Sequence, residues 1–160
     1  MKKFPISIRP FGVHAVLIEW PEKVDEAILN DILIFSTYLK ESCLIEGNWE
    51  LVPAYNSLTL ILRHDTIDFE SFKTQLETWY TEDKKLKLEE RFLWRIPVCY
   101  ESEFSIDLEE VSQILNKTPK ELISIHAAHA YTVYGIGFLP GFMYLGGISK
   151  ELEIPRRATP

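Results

Sequence analysis

The chain has 160 residues, of which 46% are hydrophobic and 26% charged, and its formal net charge is −7. This composition excludes a disordered tail, and the acidic balance argues against a broad nucleic-acid-binding face, which needs clustered Lys and Arg. No apolar stretch reaches the ~20 residues of a membrane span. Two cysteines cannot build a disulfide framework or, alone, a tetrahedral zinc site, and they fit a reducing cytoplasm.

The first 90 residues predict the element order strand, strand, helix, strand, strand, helix. The predicted strands cover residues 4–9, 14–20, 49–55 and 57–63. Between Val24 and Leu39, apolar residues recur every three or four positions, which is typical of an amphipathic helix. Asp68 is a suitable N-cap for a second helix. We therefore expect an α+β fold, in which two helices cover one face of an antiparallel four-stranded sheet.

Charge and glycine content change along the chain and predict a domain boundary. Residues 1–90 carry a net charge of −6, whereas residues 91–160 carry −1. Five of the seven glycines lie after residue 134. The sequence therefore predicts an N-terminal domain at residues 1–90 and a second domain at 91–160.

The second domain is predicted to begin with a strand from Phe92 to Tyr100. A short helix follows Asp107, and a second helix begins with Thr118, Pro119 and Glu121. That second start combines a capping box with proline at the first helical position. A strand near residues 131–138 and a loop rich in glycine and proline complete the pattern.

His126 and His129 lie three positions apart near the end of the predicted helix. No carboxylate or cysteine is spaced to complete a metal site with them, so no metal is predicted. His126 is the one candidate catalytic residue. The alternative is a histidine favoured at a helix C-terminus by the helix dipole.

The segment 137–147, with the sequence GFLPGFMYLGG, is the most unusual part of the chain. It is not a dinucleotide-binding fingerprint, because no helix pattern follows it, and the chain contains no P-loop motif. Its glycines allow tight turns, and its aromatic residues could line a ligand pocket or face a partner. The alternative is a turn that covers a hydrophobic core.

Arg156 and Arg157 follow Pro155 as two adjacent guanidinium groups. Such a pair could bind a carboxylate or a phosphate through bidentate hydrogen bonds. The alternative is a solvated surface pair.

The pattern His126-x4-Tyr131-x-Val133, followed by GIGFLPGFMYLGG and IPRRATP, resembles the KipI-type family. The members of that family are also called 5-oxoprolinase B subunits or allophanate hydrolase subunit 1. Further matches are the segments IEW, YNSLTLIL and IPVCY. The resemblance implies that the second domain is a cyclophilin-like β-barrel of the carboxyltransferase type. It also implies that the chain ends inside the family motif, so we expect that barrel to be incomplete.

The same resemblance implies a cytoplasmic hydrolase subunit that acts in a hetero-oligomer. Its partners would be a homologous, KipA-type C subunit and an A subunit, and the complex would use ATP to convert 5-oxoproline to glutamate. The chain itself has no recognisable ATP site. The alternatives are an inhibitor of a sensor histidine kinase and a component of a urea carboxylase or allophanate hydrolase. Neither a nucleic acid nor a membrane is expected as a partner.

Seven residues are expected to bind the substrate. They are Phe138, Pro140, Gly141, Phe142, Tyr144, Arg156 and Arg157.

Overall fold

The structure is a computed structural model that describes residues 4–82 and 90–156. The chain divides into two compact units. The first unit contains Met1–Glu90 and Val133–Tyr144, and the second contains Arg91–Thr132 and Leu145–Pro160. The sequence-based domain boundary at residue 90 stays a prediction, as does the incomplete cyclophilin-like barrel.

The first unit has the predicted order of strands and helices, which confirms the α+β class. Its elements are β1 (Ser7–Pro10), β2 (Ala15–Glu19), α1 (Glu26–Tyr38), β3 (Trp49–Pro53), β4 (Ser57–Leu62) and α2 (Phe69–Thr81). A π-helical turn at Leu39–Cys43 extends α1. The sheet is antiparallel throughout, with the strand order β1-β2-β4-β3.

Both helices pack on one face of this sheet. Val16 pairs with Leu60 and Ile18 with Leu58 across β2 and β4, and all four side chains are fully buried. They join one hydrophobic cluster with the apolar stripes of the two helices. The helical members are Ile28, Ile32, Phe35, Leu39, Leu76 and Tyr80. Alternation along the strands and the three-to-four spacing along the helices therefore converge on a single core.

The half-buried carboxylate of Asp31 lies beside this apolar cluster. The indole Nε1 of Trp20 donates to Oδ2 of Asp31 at 2.7 Å, and the Tyr80 hydroxyl donates to the same oxygen at 2.5 Å. Burial and the Asp31 hydrogen bond raise the pKa of the Tyr80 phenol. The phenol therefore stays protonated as a donor, which satisfies part of the hydrogen-bonding capacity of Asp31.

The second half of the chain contains α3 (Leu108–Leu115), α4 (Pro119–Ala128), β5 (Thr132–Ile136) and β6 (Met143–Gly146). The predicted capping box of α4 is confirmed: Thr118 N donates to the Glu121 carboxylate at 2.7 Å, and Glu121 N donates to the Thr118 hydroxyl at 3.3 Å. β5 and β6 form a two-stranded sheet. A short 3-10 turn follows at Lys150–Leu152.

The structure differs from the sequence prediction at two places. The strand predicted from Phe92 to Tyr100 is wrong, because the segment has no regular secondary structure. Its composition favours a strand, but a strand forms only beside a partner, and none lies along it within the described residues. The strand β6 was not predicted, because Gly141, Gly146 and Gly147 indicated a loop.

Candidate functional site

The loop between β5 and β6 is a tight turn held by backbone hydrogen bonds. Leu139 N donates to the Gly137 carbonyl at 2.8 Å, and Phe142 N donates to the Leu139 carbonyl at 3.0 Å. Gly137 N donates to the Phe142 carbonyl at 3.0 Å and closes the turn. The glycine-rich segment therefore forms an ordered hairpin tip.

Two residues of this tip have left-handed backbone conformations. Gly141 has φ +78°, which glycine adopts without steric cost. Phe138 has φ +63°, although it carries a bulky side chain, and that side chain is 83% exposed. A left-handed aromatic residue costs roughly 1–2 kcal/mol in backbone energy. Such strain is frequent at functional sites, and here it holds an aromatic ring in solvent.

The hairpin tip continues into a row of five aromatic rings within the first unit. Phe138 contacts Phe142 edge to face at 6.0 Å between centroids, and Phe142 contacts Tyr144 in the same way at 5.3 Å. Tyr144 contacts Tyr55 at 6.1 Å, and Tyr55 stacks on Tyr134 at 5.2 Å. We call these five residues the aromatic row. It runs from the buried Tyr134 to the exposed Phe138.

The aromatic row brings together most of the substrate-binding residues expected from the sequence. Phe138, Phe142 and Tyr144 are members, and Pro140 and Gly141 form the turn between them. Sequence analysis missed Tyr55 and Tyr134. Tyr55 lies far from the hairpin in sequence, so no local spacing could have identified it. The exposed ring faces offer apolar contact and weak attraction for N–H groups and cations.

His126 lies in the second unit, on the wall of an open groove of about 380 Å³. Nδ1 of His126 is 2.5 Å from the phenol oxygen of Tyr100, and the Tyr131 hydroxyl donates to the His126 carbonyl at 3.3 Å. When the Tyr100 phenol donates, the ring proton of His126 lies on Nε2. The groove is otherwise lined mainly by apolar side chains, among them Val98, Phe104, Ile106, Val111 and Leu122.

Two neighbouring tyrosines hold the side chain of His126 in place. Burial, with a smaller effect of Tyr100, raises the pKa of Tyr131, so its hydroxyl remains a hydrogen-bond donor. The ring of Tyr131 contacts the rings of His126 at 5.3 Å and of His129 at 5.4 Å. Tyr100 and Tyr131 thus fix the orientation of His126. Sequence analysis did not identify Tyr100, which is 26 residues away along the chain.

Arg156 belongs to the second unit and is exposed. Arg157 lies outside the described residues. Across residues 4–82 and 90–156, no group of three or more His, Cys, Asp or Glu side chains is arranged to hold a metal ion. None of the helices described is both long and apolar enough to cross a membrane.

The chain is similar to a known protein family over nearly its whole length. Residues 6–160 match the family described as carboxyltransferase domain, subdomain C and D, so the chain belongs to that family.

Three relatives then confirm the resemblance found in the sequence, and each is named as the B subunit of 5-oxoprolinase. The Bacillus subtilis (strain 168) protein is 35% identical over 96% of this chain and 68% of its own length. The Haemophilus influenzae protein is 40% identical over 97% of this chain and 70% of its own length. The Escherichia coli O157:H7 protein is 35% identical over 69% of this chain, which matches half of that protein.

Solved structures confirm the fold. The crystal structure of TTHA0988 in space group P212121 has a TM-score of 0.71 and is 27% identical. The similarity covers 91% of this chain but 28% of TTHA0988. A second crystal form, in space group P6522, gives a TM-score of 0.65. The chain therefore spans less than a third of that longer protein.

Proposed function

We propose that this chain is the B subunit of a multi-subunit, ATP-dependent 5-oxoprolinase that converts 5-oxoproline to glutamate. One observation carries the proposal: two proteins named as 5-oxoprolinase B subunits are 35% and 40% identical to it over nearly its whole length. Such a name implies further subunits. We assign these roles to a homologous C subunit and an A subunit, and we place the complex in the cytoplasm, where the thiols of Cys43 and Cys99 would stay reduced.

The nucleotide is assigned to the other subunits. The sequence has no P-loop, and its glycine-rich segment forms a hairpin tip rather than the loop before a helix that binds phosphates. The proposal predicts that the chain alone does not hydrolyse 5-oxoproline.

We assign substrate binding to the exposed end of the aromatic row. 5-Oxoproline is a small five-membered lactam that carries a carboxylate. Its ring can pack on Phe142 and Tyr144, and its N–H can point at an aromatic face. Arg156 and Arg157 are proposed, independently of the aromatic row, to bind an anionic group, because a guanidinium group binds carboxylates through paired hydrogen bonds.

His126 is the proposed catalytic residue. Ring opening needs a proton donor for the amine that leaves the carbonyl carbon, and histidine is the side chain best suited to proton transfer near neutral pH. The support for this role is the hydrogen bond to Tyr100, which orients the imidazole. Tyr100 is then a positioning residue that acts through His126.

Reconstitution tests the proposed function. The chain is mixed with purified A and C subunits, and glutamate release from 5-oxoproline is measured with ATP. Each component is omitted in turn. The proposal expects glutamate only in the complete mixture and none without ATP. Glutamate release that is equally fast without this chain would contradict the proposal.

A further inference from the structure

The ring of Tyr55 contacts one aromatic ring on each strand of the β5–β6 hairpin. It stacks on Tyr134 of β5 at 5.2 Å between centroids, with 22° between the ring planes. It meets Tyr144 of β6 edge to face, at 6.1 Å and 75°. Tyr55 belongs to neither strand, because it lies in the turn between β3 and β4. All three tyrosines are part of the first unit, so one side chain of that turn supports both strands of the hairpin.

The turn that carries Tyr55 is anchored to the core of the first unit. Ala54 N donates to the Ser57 carbonyl at 2.8 Å and closes the turn. Trp20 N donates to the Asn56 carbonyl at 2.8 Å, and Nδ2 of Asn56 donates back to the Trp20 carbonyl at 3.3 Å. Trp20 is itself buried in the hydrophobic cluster. The backbone on both sides of Tyr55 is therefore fixed, which limits the movement of its ring.

The ring of Tyr144 also lies against two glycines of its own hairpin. A Cβ atom placed on Gly135 would lie 3.9 Å from Cδ2 of Tyr144, and one on Gly137 would lie 3.8 Å from Cε2. These are van der Waals distances, so the Cδ2–Cε2 edge of the ring covers both glycines. A branched side chain at Gly135 would compete with the ring for this space. Tyr55 and the two glycines together hold the ring of Tyr144 in one orientation.

This orientation matters for the binding of a small, flat lactam. The face of an aromatic ring carries negative and the edge positive partial charge, so a ligand that packs on the ring depends on the direction of its face. A ring that is free to rotate must be ordered when the ligand binds, and the lost freedom lowers the affinity. A ring that is already held avoids this loss.

We propose that Tyr55 is a positioning residue for the substrate, which fixes the ring of Tyr144 in the orientation that binds 5-oxoproline. This inference rests on the proposed function, which places the lactam on Phe142 and Tyr144. Tyr55 acts through Tyr144 and does not touch the reacting atoms. Its contribution therefore falls on substrate affinity and not on the chemical step.

Three variants test the role of Tyr55 with a matched control. Tyr55→Leu removes the ring and keeps an apolar side chain, whereas Tyr55→Phe keeps the ring. Tyr38→Leu, the control, changes another half-buried tyrosine of the first unit, which lies on α1. Each variant is mixed with the A and C subunits, and kcat and KM for 5-oxoproline are measured. Circular dichroism checks that each variant is folded.

The proposal expects Tyr55→Leu to raise KM by about two- to tenfold, the loss in affinity for ordering one side chain, with kcat within about twofold of wild type. Tyr55→Phe and Tyr38→Leu should keep the wild-type KM. Wild-type KM in Tyr55→Leu would overturn the proposal. Equal rises in Tyr55→Leu and Tyr38→Leu would do the same, since the effect would then be one of general stability. An equal rise in Tyr55→Phe would show that the ring is not what matters.

Gly135→Val reaches the ring of Tyr144 while Tyr55 stays in place. It adds a branched side chain where the Cδ2–Cε2 edge lies, so KM should rise in this variant as well. It also tests the proposal if Tyr55→Leu does not fold. An unchanged KM in folded Gly135→Val would show that the orientation of Tyr144 does not affect substrate binding.

A measurement without turnover separates this inference from the proposed function. NMR relaxation of the Tyr144 ring carbons in the chain alone reports the mobility of that ring. The ring should be more mobile in Tyr55→Leu than in wild type or Tyr38→Leu, and equal mobility in all three would overturn the positioning role. A wild-type complex that releases no glutamate removes the proposed function. The mobility of Tyr144 then decides by itself whether Tyr55 holds that ring.

Discussion

The phenol oxygen of Tyr100 and Nδ1 of His126 lie 2.5 Å apart in the groove of the second unit. This contact joins the end of the segment Phe92–Tyr100 to α4, and the two rings also meet edge to face. A hydrogen bond at Nδ1 fixes both the tautomer and the direction of the imidazole. This contact is the basis of the proposed role of His126 in proton transfer.

Removing the Tyr100 hydroxyl or the His126 imidazole should slow glutamate release by the reconstituted complex. His126→Ala should lower kcat by about 100-fold, because general acid–base catalysis contributes about 10²–10⁴-fold. Tyr100→Phe should lower kcat by a smaller factor and shift its pH profile, since only the orientation of His126 is lost. Initial rates measured across a range of pH give both kcat and its pH profile for each variant. His64→Ala, an exposed histidine of the first unit, is the control. Unchanged kcat in His126→Ala would exclude the catalytic role.

The strained backbone at Phe138 predicts opposite effects on stability and on activity. Phe138→Gly should raise the free energy of unfolding, by up to about 1 kcal/mol, because glycine adopts φ +63° without strain. The same change removes the exposed end of the aromatic row, so KM for 5-oxoproline should rise. Urea unfolding and steady-state kinetics measure the two effects.

Phe11→Gly is a control for this prediction, because Phe11 is an exposed phenylalanine outside the hairpin. It should leave KM unchanged. A Phe138→Gly variant with wild-type KM would show that this ring does not contact the substrate.

The hydrogen bonds to the half-buried Asp31 predict a stability effect. The Asp31 carboxylate accepts hydrogen bonds from the Trp20 indole and the Tyr80 hydroxyl. Tyr80→Phe removes the hydroxyl and leaves the indole in place. A hydrogen bond to a charged group contributes about 1.5–3 kcal/mol, so urea unfolding should show a loss of that size. Tyr38→Phe removes a hydroxyl that donates to the exposed Glu82 and should cost far less. Equal losses in both variants would contradict the structural role of Asp31.

The capping box of α4 predicts a dependence on pH. The backbone N–H of Thr118, followed by its hydroxyl, lowers the pKa of Glu121 below its usual 4.5. A depressed pKa means that the ionised form stabilises the folded state. The contribution is therefore complete above pH 4.5 and is lost as pH falls through the lowered value.

Glu121→Gln should remove this dependence. Hydrogen exchange of the α4 amides should be faster in the variant than in the wild type at pH 6, after correction for intrinsic rates, and the difference should shrink below pH 4.5. Glu153→Gln, an exposed carboxylate, should show no such trend. A difference that persists unchanged at low pH would show that the Glu121 charge does not contribute.

The first unit could be predicted from sequence because its signals are local. Alternation in β2 and β4 and the stripe from Ile28 to Leu39 each specify one buried face. The capping box at Thr118 is likewise contained within four residues. Such patterns determine an element wherever a core is available to bury its apolar face.

The errors come from features that depend on distant parts of the chain. Phe92–Tyr100 has the composition of a strand, but a strand needs a neighbouring strand to pair with, and none lies beside it among the described residues. The stacking of Tyr55 on Tyr134 and the hydrogen bond from Tyr100 to His126 join residues that are far apart along the chain. Their spacing carries no periodic signal. The aromatic ring of Phe138 is evident from the sequence, whereas its positive φ depends on the closed hairpin.

The central claim is that this chain is a required component of a 5-oxoprolinase. The most direct measurement is the initial rate of glutamate formation from 5-oxoproline and ATP by the A and C subunits, titrated with this chain. The account predicts a rate near zero without the chain, a rise with added chain and saturation at a fixed stoichiometry. A rate that is independent of the chain would contradict it.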